Sequence, residues 1–361
     1  MDRSDLQAYL SNGVRNIVKS AVRSTLSDPA GTAFIMKFSA ASARASAKRE
    51  KLEKEGTHVP PFLIASITSS CNLHCKGCYS RQNHATSDCA PRNQLAADEW
   101  KRIFSEAEEL GISFVLLAGG EPLMRRDVID AATEFQNIVF PIFTNGVFVS
   151  DSYFDLFEKH RNLIPVLSIE GGREATDSRR GEGIYVRQMQ NMERLKKAGV
   201  LFGASVTVTK ENLSAVMSGE FIRSLSDMGC RLVIFVEYVP ADRSTADLAP
   251  DNTDREFMES RTNALSEEFP DMILLSFPGD EKNSGGCLAA GRGFFHINSH
   301  GDAEPCPFSP YSDTNIRDTT LRKALDSGLF RKLHDSGVLL SEHTGGCVLF
   351  QHEEFVRSAV K

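Results

Sequence analysis

Cys71, Cys75 and Cys78 stand in a C-x3-C-x2-C run, Cys71-Asn72-Leu73-His74-Cys75-Lys76-Gly77-Cys78-Tyr79, directly after the apolar stretch Phe62-Leu63-Ile64-Ala65-Ser66-Ile67. Three thiolates on one short loop suit three irons of a 4Fe-4S cluster, and the missing fourth ligand leaves one iron open to a small molecule. An open iron implies chemistry rather than electron storage alone. Zinc sites usually take four ligands, often as a C-x2-C pair answered by a second pair downstream, so this spacing fits zinc poorly.

About forty residues on, the apolar run Phe114-Val115-Leu116-Leu117-Ala118 ends in Gly119-Gly120-Glu121-Pro122-Leu123. Glycines at a strand end let backbone approach a ligand closely, and a carboxylate beside them accepts hydrogen bonds from an ammonium group. Alone, such a run is an ordinary strand-to-loop turn. Together, in this order and spacing, the two motifs resemble the radical S-adenosylmethionine (SAM) superfamily. The resemblance implies that Cys71, Cys75 and Cys78 hold the cluster and that its open iron chelates the amino and carboxylate groups of SAM. It also implies that Gly119, Gly120, Glu121 and Pro122 form the turn that binds that amino group.

The same resemblance assigns residues at later strand ends. Tyr79 occupies the aromatic position near the adenine, and Ser168 with Glu170 is similar to the pair that hydrogen-bonds the ribose, although related enzymes commonly have Asp where Glu170 stands. Arg180 has the planar fork that matches a carboxylate such as that of methionine; a surface salt bridge is the bland alternative. Ser205 and Thr207 share one face of a strand by its two-residue period and would line the interior near SAM. Glu237 or Tyr238, at the end of the sixth strand, would face substrate.

Downstream of Pro278 the pattern changes. Cys287 is followed by thirteen residues, Gly301, four residues and Cys306, and Cys347 follows in Gly345-Gly346-Cys347. The hairpin-like run Gly293-Phe294-Phe295-His296-Ile297-Asn298, then His300-Gly301-Asp302, would bring Cys287 and Cys306 together across a turn. The spacing resembles the SPASM and twitch extensions of radical SAM enzymes, closer to the shorter twitch form with one auxiliary 4Fe-4S cluster. Cys287, Cys306 and Cys347 are three ligands. Cys89, Cys230, His343, His352 or a substrate atom is left open as the fourth, with Cys230 read as a buried apolar residue.

The elements that position these groups are strands near 62–69, 113–118, 138–143, 164–169, 202–208 and 231–238, rich in Val, Ile, Leu and Phe as buried parallel strands are. Helical patterns run from Ala97 to Leu110, Asp127 to Gln136, Ser152 to His160, Val186 to Ala198 and Leu213 to Met228. Six such units predict an α/β fold, a partial (β/α)6 TIM-like barrel, with reactive groups at the carboxyl ends of its strands. The predicted organisation is a helical extension over 1–60, the barrel over 61–278 and a small auxiliary-cluster domain over 279–361.

The chain has 361 residues and a net charge of −7, which argues against nucleic acid held by bulk electrostatics. Residues 1–58 carry ten Lys and Arg against six Asp and Glu, a net of +4, leaving −11 for the rest. Leu6, Tyr9, Leu10, Val14, Ile17, Val18, Ala21 and Val22 repeat at helical spacing with Arg15, Lys19 and Arg23 interleaved. Such a basic helix suits either packing on the main domain, the bland reading, or contact with a membrane surface or an acidic partner. With no signal peptide or membrane-spanning run visible and iron-binding thiols to keep reduced, a cytoplasmic location is expected.

The resemblance implies a radical mechanism. The reduced cluster, fed by a donor such as flavodoxin or ferredoxin, splits SAM to a 5'-deoxyadenosyl radical, and that radical takes a hydrogen atom from substrate. Oxidation or crosslinking of a peptide or protein side chain is the first expectation. A small-molecule dehydrogenase or cofactor-biosynthesis enzyme is the second, and a non-catalytic iron–sulfur carrier or sensor is the reading from another class.

Overall fold

Short runs of β-branched and aromatic residues become strands β1 (Phe62–Thr68), β2 (Phe114–Gly119), β3 (Phe140–Thr144), β4 (Leu163–Ser168), β5 (Gly203–Val208), β6 (Leu232–Glu237), β7 (Ile273–Phe277), β8 (Phe294–Ile297) and β9 (Ala303–Glu304). They form one curled, nine-stranded sheet in the order β7-β6-β5-β4-β3-β2-β1-β8-β9. Every pairing is parallel except β8 with β9. The computed structural model describes residues 3–26, 28–89, 93–241, 243–277, 284–341 and 347–360.

The helices are α1 (Arg3–Ser24), α2 (Pro29–Lys54), α3 (Tyr79–Gln82), α4 (Ala97–Leu110), α5 (Arg126–Ala132), α6 (Asp151–Lys159), α7 (Arg173–Arg180), α8 (Ile184–Lys197), α9 (Leu213–Val216), α10 (Gly219–Asp227), α11 (Asn252–Glu268), α12 (Leu321–Ala324), α13 (Gly328–Asp335), α14 (Val348–Gln351) and α15 (Glu353–Ala359). The partial barrel expected from the sequence is present, and the sheet extends beyond it on both sides. β7 adds beside β6, a strand missed because Ile273-Leu274-Leu275 is too short to declare its period. β8 adds to the other edge, with Phe62 opposite Phe294 and Ala65 opposite Ile297. The hairpin expected to belong to a separate C-terminal unit therefore continues the barrel sheet. Ile316, Leu321, Phe330 and Leu333 share a core with the barrel. The expected boundary at Pro278 lies outside the described residues.

The helix expected from Leu213 to Met228 is broken in two. Ser218 interrupts it, its hydroxyl accepting from the Phe221 N–H at 3.1 Å as the N-cap of α10. The helix expected to reach Gln136 stops at Ala132.

Strand alternation gives the sheet two unlike faces. On one, Leu63, Ala65 and Ile67 share a fully buried core with Trp100, Ile103 and Phe104 of α4. On the other, Val14 and Val18 of α1 and Phe38 of α2 pack with Phe114, Val139 and Ile164, while Ala21 and Ile35 meet Val166, Leu232, Ile234 and Ile273. The N-terminal helices thus close the floor of the barrel, which explains why their apolar stripe is buried, and Arg49 of α2 is buried with it, its guanidinium donating to Gly111 O. Asp28 joins them, capping α2 through the N–H groups of Ala30 and Gly31 at 3.2 and 2.9 Å, with Pro29 in the first turn.

Toward the strands' carboxyl ends this inner face turns polar. Phe62 and Ile64 give way to Ser66 and Thr68, Ile164 and Val166 to Ser168, Gly203 to Ser205 and Thr207, and Phe294 to His296. Apolar side chains hold the floor, and polar ones line the mouth.

Candidate active site

The three-cysteine loop is fixed by its backbone. Cys71 N–H donates to Ser87 O at 3.0 Å, and Lys76 N–H to Arg179 O, at the end of α7, at 2.9 Å. Arg81 donates to the carbonyls of Leu73 and Cys71 at 2.9 and 3.1 Å and pairs with Asp88 at 2.9 Å. All three thiols are free and half-buried. Burial pushes the Cys71 thiol up to about 11 and raises that of Cys75, which Arg180 and Arg179 oppose. A bound metal reverses that direction, because a coordinating thiol is deprotonated outright.

Gly119 and Gly120 are required by this loop's own backbone. A Cβ at Gly119 would fall 2.2 Å from Thr68 O, and one at Gly120 2.1 Å from Ser70 O. In that close approach the N–H groups of Gly120 and Glu121 donate to Thr68 O and Ser70 O, both at 2.8 Å. Glu121 is 1% exposed, and three of its carboxylate's acceptor directions are taken. Thr144 Oγ1 donates at 2.7 Å, Asn145 N at 2.8 Å and Leu123 N at 3.0 Å. The expected ligand of an ammonium group is thus first a tie between the ends of β2 and β3. Burial raises its carboxyl to about 7 against those hydrogen bonds. Asn145 then reaches the loop, donating to Asn72 Oδ1 at 2.9 Å.

Glu170 and Arg180 were expected to face different parts of a ligand, and here they meet each other. Arg180 Nη2 lies 2.5 Å and Arg179 Nε 3.4 Å from Glu170 Oε1, while Thr207 N–H donates to Oε2 at 2.9 Å. Arg180 also approaches Cys75 Sγ at 4.0 Å. Ser168 and Ser205 are register partners on β4 and β5, both buried. Tyr238 packs against Gly77 inside the cysteine loop, lies beneath Arg179 at 5.9 Å and donates to Thr245 Oγ1 at 2.8 Å.

Glu237 requires a correction. It occupies the outward position on β6, next to Val236 on the inner face, and Arg255 of α11 holds both its oxygens, Nε at 2.9 and 3.0 Å. Its carboxylate is committed to the outer helical layer, so it does not face substrate.

The C-terminal cysteines are buried in one core. Cys306 hydrogen-bonds Cys347 and feels the charge of Cys287; burial first, then those two neighbours, hold its thiol well above the usual range. Cys287 N–H donates to Leu339 O at 2.7 Å, and Arg292 Nη1 to Cys287 O at 2.6 Å. Of the candidates for a further ligand, Cys230 lies at the opposite end of the sheet, buried, its thiol donating to Leu232 O at 3.2 Å. Cys89 is exposed, His352 precedes α15, and His343 lies outside the described residues. Tyr79 follows Cys78 in the chain and meets Phe308, two residues after Cys306. Burial raises its phenol further as Cys78, Cys306 and Glu304 add negative charge, and its ring meets Phe308 edge-on at 4.6 Å.

Beside Tyr79 a cavity of about 300 Å³ opens between β1, the cysteine loop and the β8–β9 hairpin, lined by Ser66, Thr68, His84, His296, His300 and Glu304 among others. Within it His296 Nδ1 lies 2.7 Å from Glu304 Oε2 and its Nε2 2.7 Å from Ser66 Oγ. His296 and Glu304 were not singled out from sequence. The signal was the hairpin's register, which sets them directly opposite each other.

The profile of the Radical SAM superfamily matches residues 65–243, spanning the cysteine loop and every strand end described from β1 to β6. The chain belongs to the radical SAM superfamily. It is 27% identical over 294 residues to an AdoMet-dependent heme synthase of Methanosarcina barkeri, covering 74% of this chain and 82% of that one. It is 28% identical over 276 residues to the mycofactocin maturase MftC of Mycobacterium tuberculosis, covering 72% and 67%. Among solved structures, Streptococcus suis SuiB bound to precursor peptide SuiA superposes with a TM-score of 0.67 at 18% identity, covering 86% of this chain and 76% of that one. That likeness concerns the fold.

The site suits the superfamily's cluster and SAM. A 4Fe-4S cluster takes one thiolate on each of three separate irons, which the free thiols of Cys71, Cys75 and Cys78 on one loop can supply. Arg180 keeps a buried Nε–H that makes no hydrogen bond, beside Cys75 and Glu170. Such a donor suits an anionic ligand group.

Proposed function

We propose that this radical SAM enzyme oxidises an organic substrate with two iron–sulfur clusters, one on Cys71, Cys75 and Cys78 and one on Cys287, Cys306 and Cys347. The observation that carries the reading is the contact of Tyr79, next to Cys78 of the first group, with Phe308, two residues after Cys306 of the second, their ring centroids 4.6 Å apart. When bound, a cluster held by Cys71, Cys75 and Cys78 together with SAM would supply radical hydrogen-atom chemistry, and one held by Cys287, Cys306 and Cys347 would supply an electron acceptor.

The chain's own residues bind, orient and exclude water. Arg179 and Arg180 present cationic donors beside Cys75, and Glu121 locks the Gly-Gly-Glu-Pro turn to β3. Helices α1 and α2 seal the barrel floor, leaving approach from the mouth. Ser168, Ser205 and Thr207 share the polar inner face assigned to SAM. Tyr238 steadies the cysteine loop at Gly77.

The substrate is a peptide or protein side chain inserted from that mouth, in keeping with the kinship to a mycofactocin maturase. A small organic molecule is the second reading, in keeping with the kinship to an AdoMet-dependent heme synthase. A low-potential donor protein and a cytoplasmic setting complete the proposal. Anaerobic reconstitution, reduction with dithionite and assay of 5'-deoxyadenosine from SAM test it: release of the nucleoside is expected, and its absence removes the radical reading.

A further inference from the structure

The lumen holds a second set of chemically active groups that the radical step does not use. Ser66, His296 and Glu304 come from three adjacent strands, β1, β8 and β9, and all line the cavity. Of the residues assigned to SAM, only Tyr79 and Gly119 border the same space. The cavity therefore lies on the hairpin side of the SAM residues, where a substrate would sit.

Three features set this array apart from an ordinary buried histidine. The imidazole is 4% exposed and Glu304 5%, so both work in a low-dielectric setting. Glu304 is fully committed, its Oε2 accepting from His296 Nδ1–H and its Oε1 from Asn298 Nδ2 at 2.6 Å. With the Glu304 carboxylate accepting from Nδ1–H, the neutral imidazole has Nε2 as its basic nitrogen, placed to accept from the Ser66 hydroxyl at 2.7 Å. Ser66 Oγ keeps acceptor lone pairs beside the cavity. A histidine with a carboxylate on one nitrogen and a hydroxyl on the other has the geometry of a base held in one orientation by hydrogen bonds.

We propose that Ser66, His296 and Glu304 form a proton relay that deprotonates the substrate bound in this cavity, a small polar group or side chain carrying an acidic X–H bond. The X–H bond breaks, its electron pair stays on the substrate, and the proton passes to Ser66 Oγ as the serine proton moves to His296 Nε2. Glu304 stabilises the resulting imidazolium without taking the proton. No oxidant or reductant enters the step. The assignment rests on the proposed function only in placing substrate in the lumen. It concerns a catalytic pair, Ser66 and His296, and a positioning residue, Glu304.

The test uses the reconstituted protein without reductant or SAM and a generic proton-abstraction probe, 5-nitrobenzisoxazole, whose C–H deprotonation opens the ring to a coloured cyanophenolate. Wild type is expected to convert the probe with saturation kinetics. His296→Gln loses about a hundredfold and Ser66→Ala a smaller factor, in the range general bases contribute. Glu304→Gln lowers turnover while leaving KM unchanged, as loss of orientation without loss of the binding space demands. Iron content and melting temperature of each variant establish that it is folded. A wild-type rate no greater than that of folded His296→Gln overturns the relay. Parallel assay of 5'-deoxyadenosine from SAM by wild type tests the radical reading separately, so either can fail alone.

Discussion

Gly77 lies against the phenol of Tyr238: a Cβ at residue 77 would come within 2.6 Å of the Tyr238 hydroxyl oxygen, and the Gly77 backbone has φ +66°. The loop between Cys75 and Cys78 is thus shaped by a residue from the far side of the barrel. Gly77→Ala is expected to cost about 1–2 kcal/mol for the left-handed backbone alone, and to lower iron incorporation. Tyr238→Phe in the same chain should return part of the loss by removing the clashing oxygen. Melting temperature and iron content of the four proteins in that cycle check it; additive losses contradict the contact.

Glu237 and Arg255 form a bidentate pair that is 3% and 20% exposed. Glu237→Ala removes the carboxylate from the Arg255 guanidinium and should destabilise the fold by about 3 kcal/mol. Replacing both residues by Met should recover much of that loss. Urea unfolding measures it. If Glu237→Ala is as stable as wild type, the carboxylate is not the structural anchor described here.

The raised carboxyl of Glu121 gives a pH dependence of definite sign. Below about pH 4.5 the group is protonated in folded and unfolded chains alike. Between there and its folded value of about 7, the unfolded chain releases the proton while the folded one keeps it. Stability contributed by this group therefore falls as pH rises through that window, by about 3 kcal/mol in all. Unfolding of the metal-free chain at several pH values should show the gap between wild type and Glu121→Gln shifting in favour of the variant as pH rises. Parallel profiles would contradict the buried assignment.

How much of this was legible in the sequence depended on how local each signal was. The cysteine loop, the Gly-Gly-Glu-Pro turn and six strands are contiguous runs, and each stands where its pattern indicated. The reason for Gly119 and Gly120 was not legible, because the atoms they accommodate belong to Thr68 and Ser70 some fifty residues earlier. Glu237 was misjudged because a strand-end position does not announce which face it takes, and only the partner Arg255 settles it. The Ser66–His296–Glu304 array needs three strands to be adjacent, which periodicity cannot supply. β7 and the floor-sealing role of α1 and α2 are likewise consequences of packing.

The central claim is that two separate groups of three cysteines hold two clusters. Iron and sulfide, with SAM cleavage, are measured anaerobically on wild type and on the Cys287→Ala, Cys306→Ala, Cys347→Ala variant. The account predicts about eight irons falling to about four, the stoichiometry of two 4Fe-4S clusters reduced to one, with 5'-deoxyadenosine still released. About four irons in both proteins would make the C-terminal cysteines ordinary buried thiols and contradict the account.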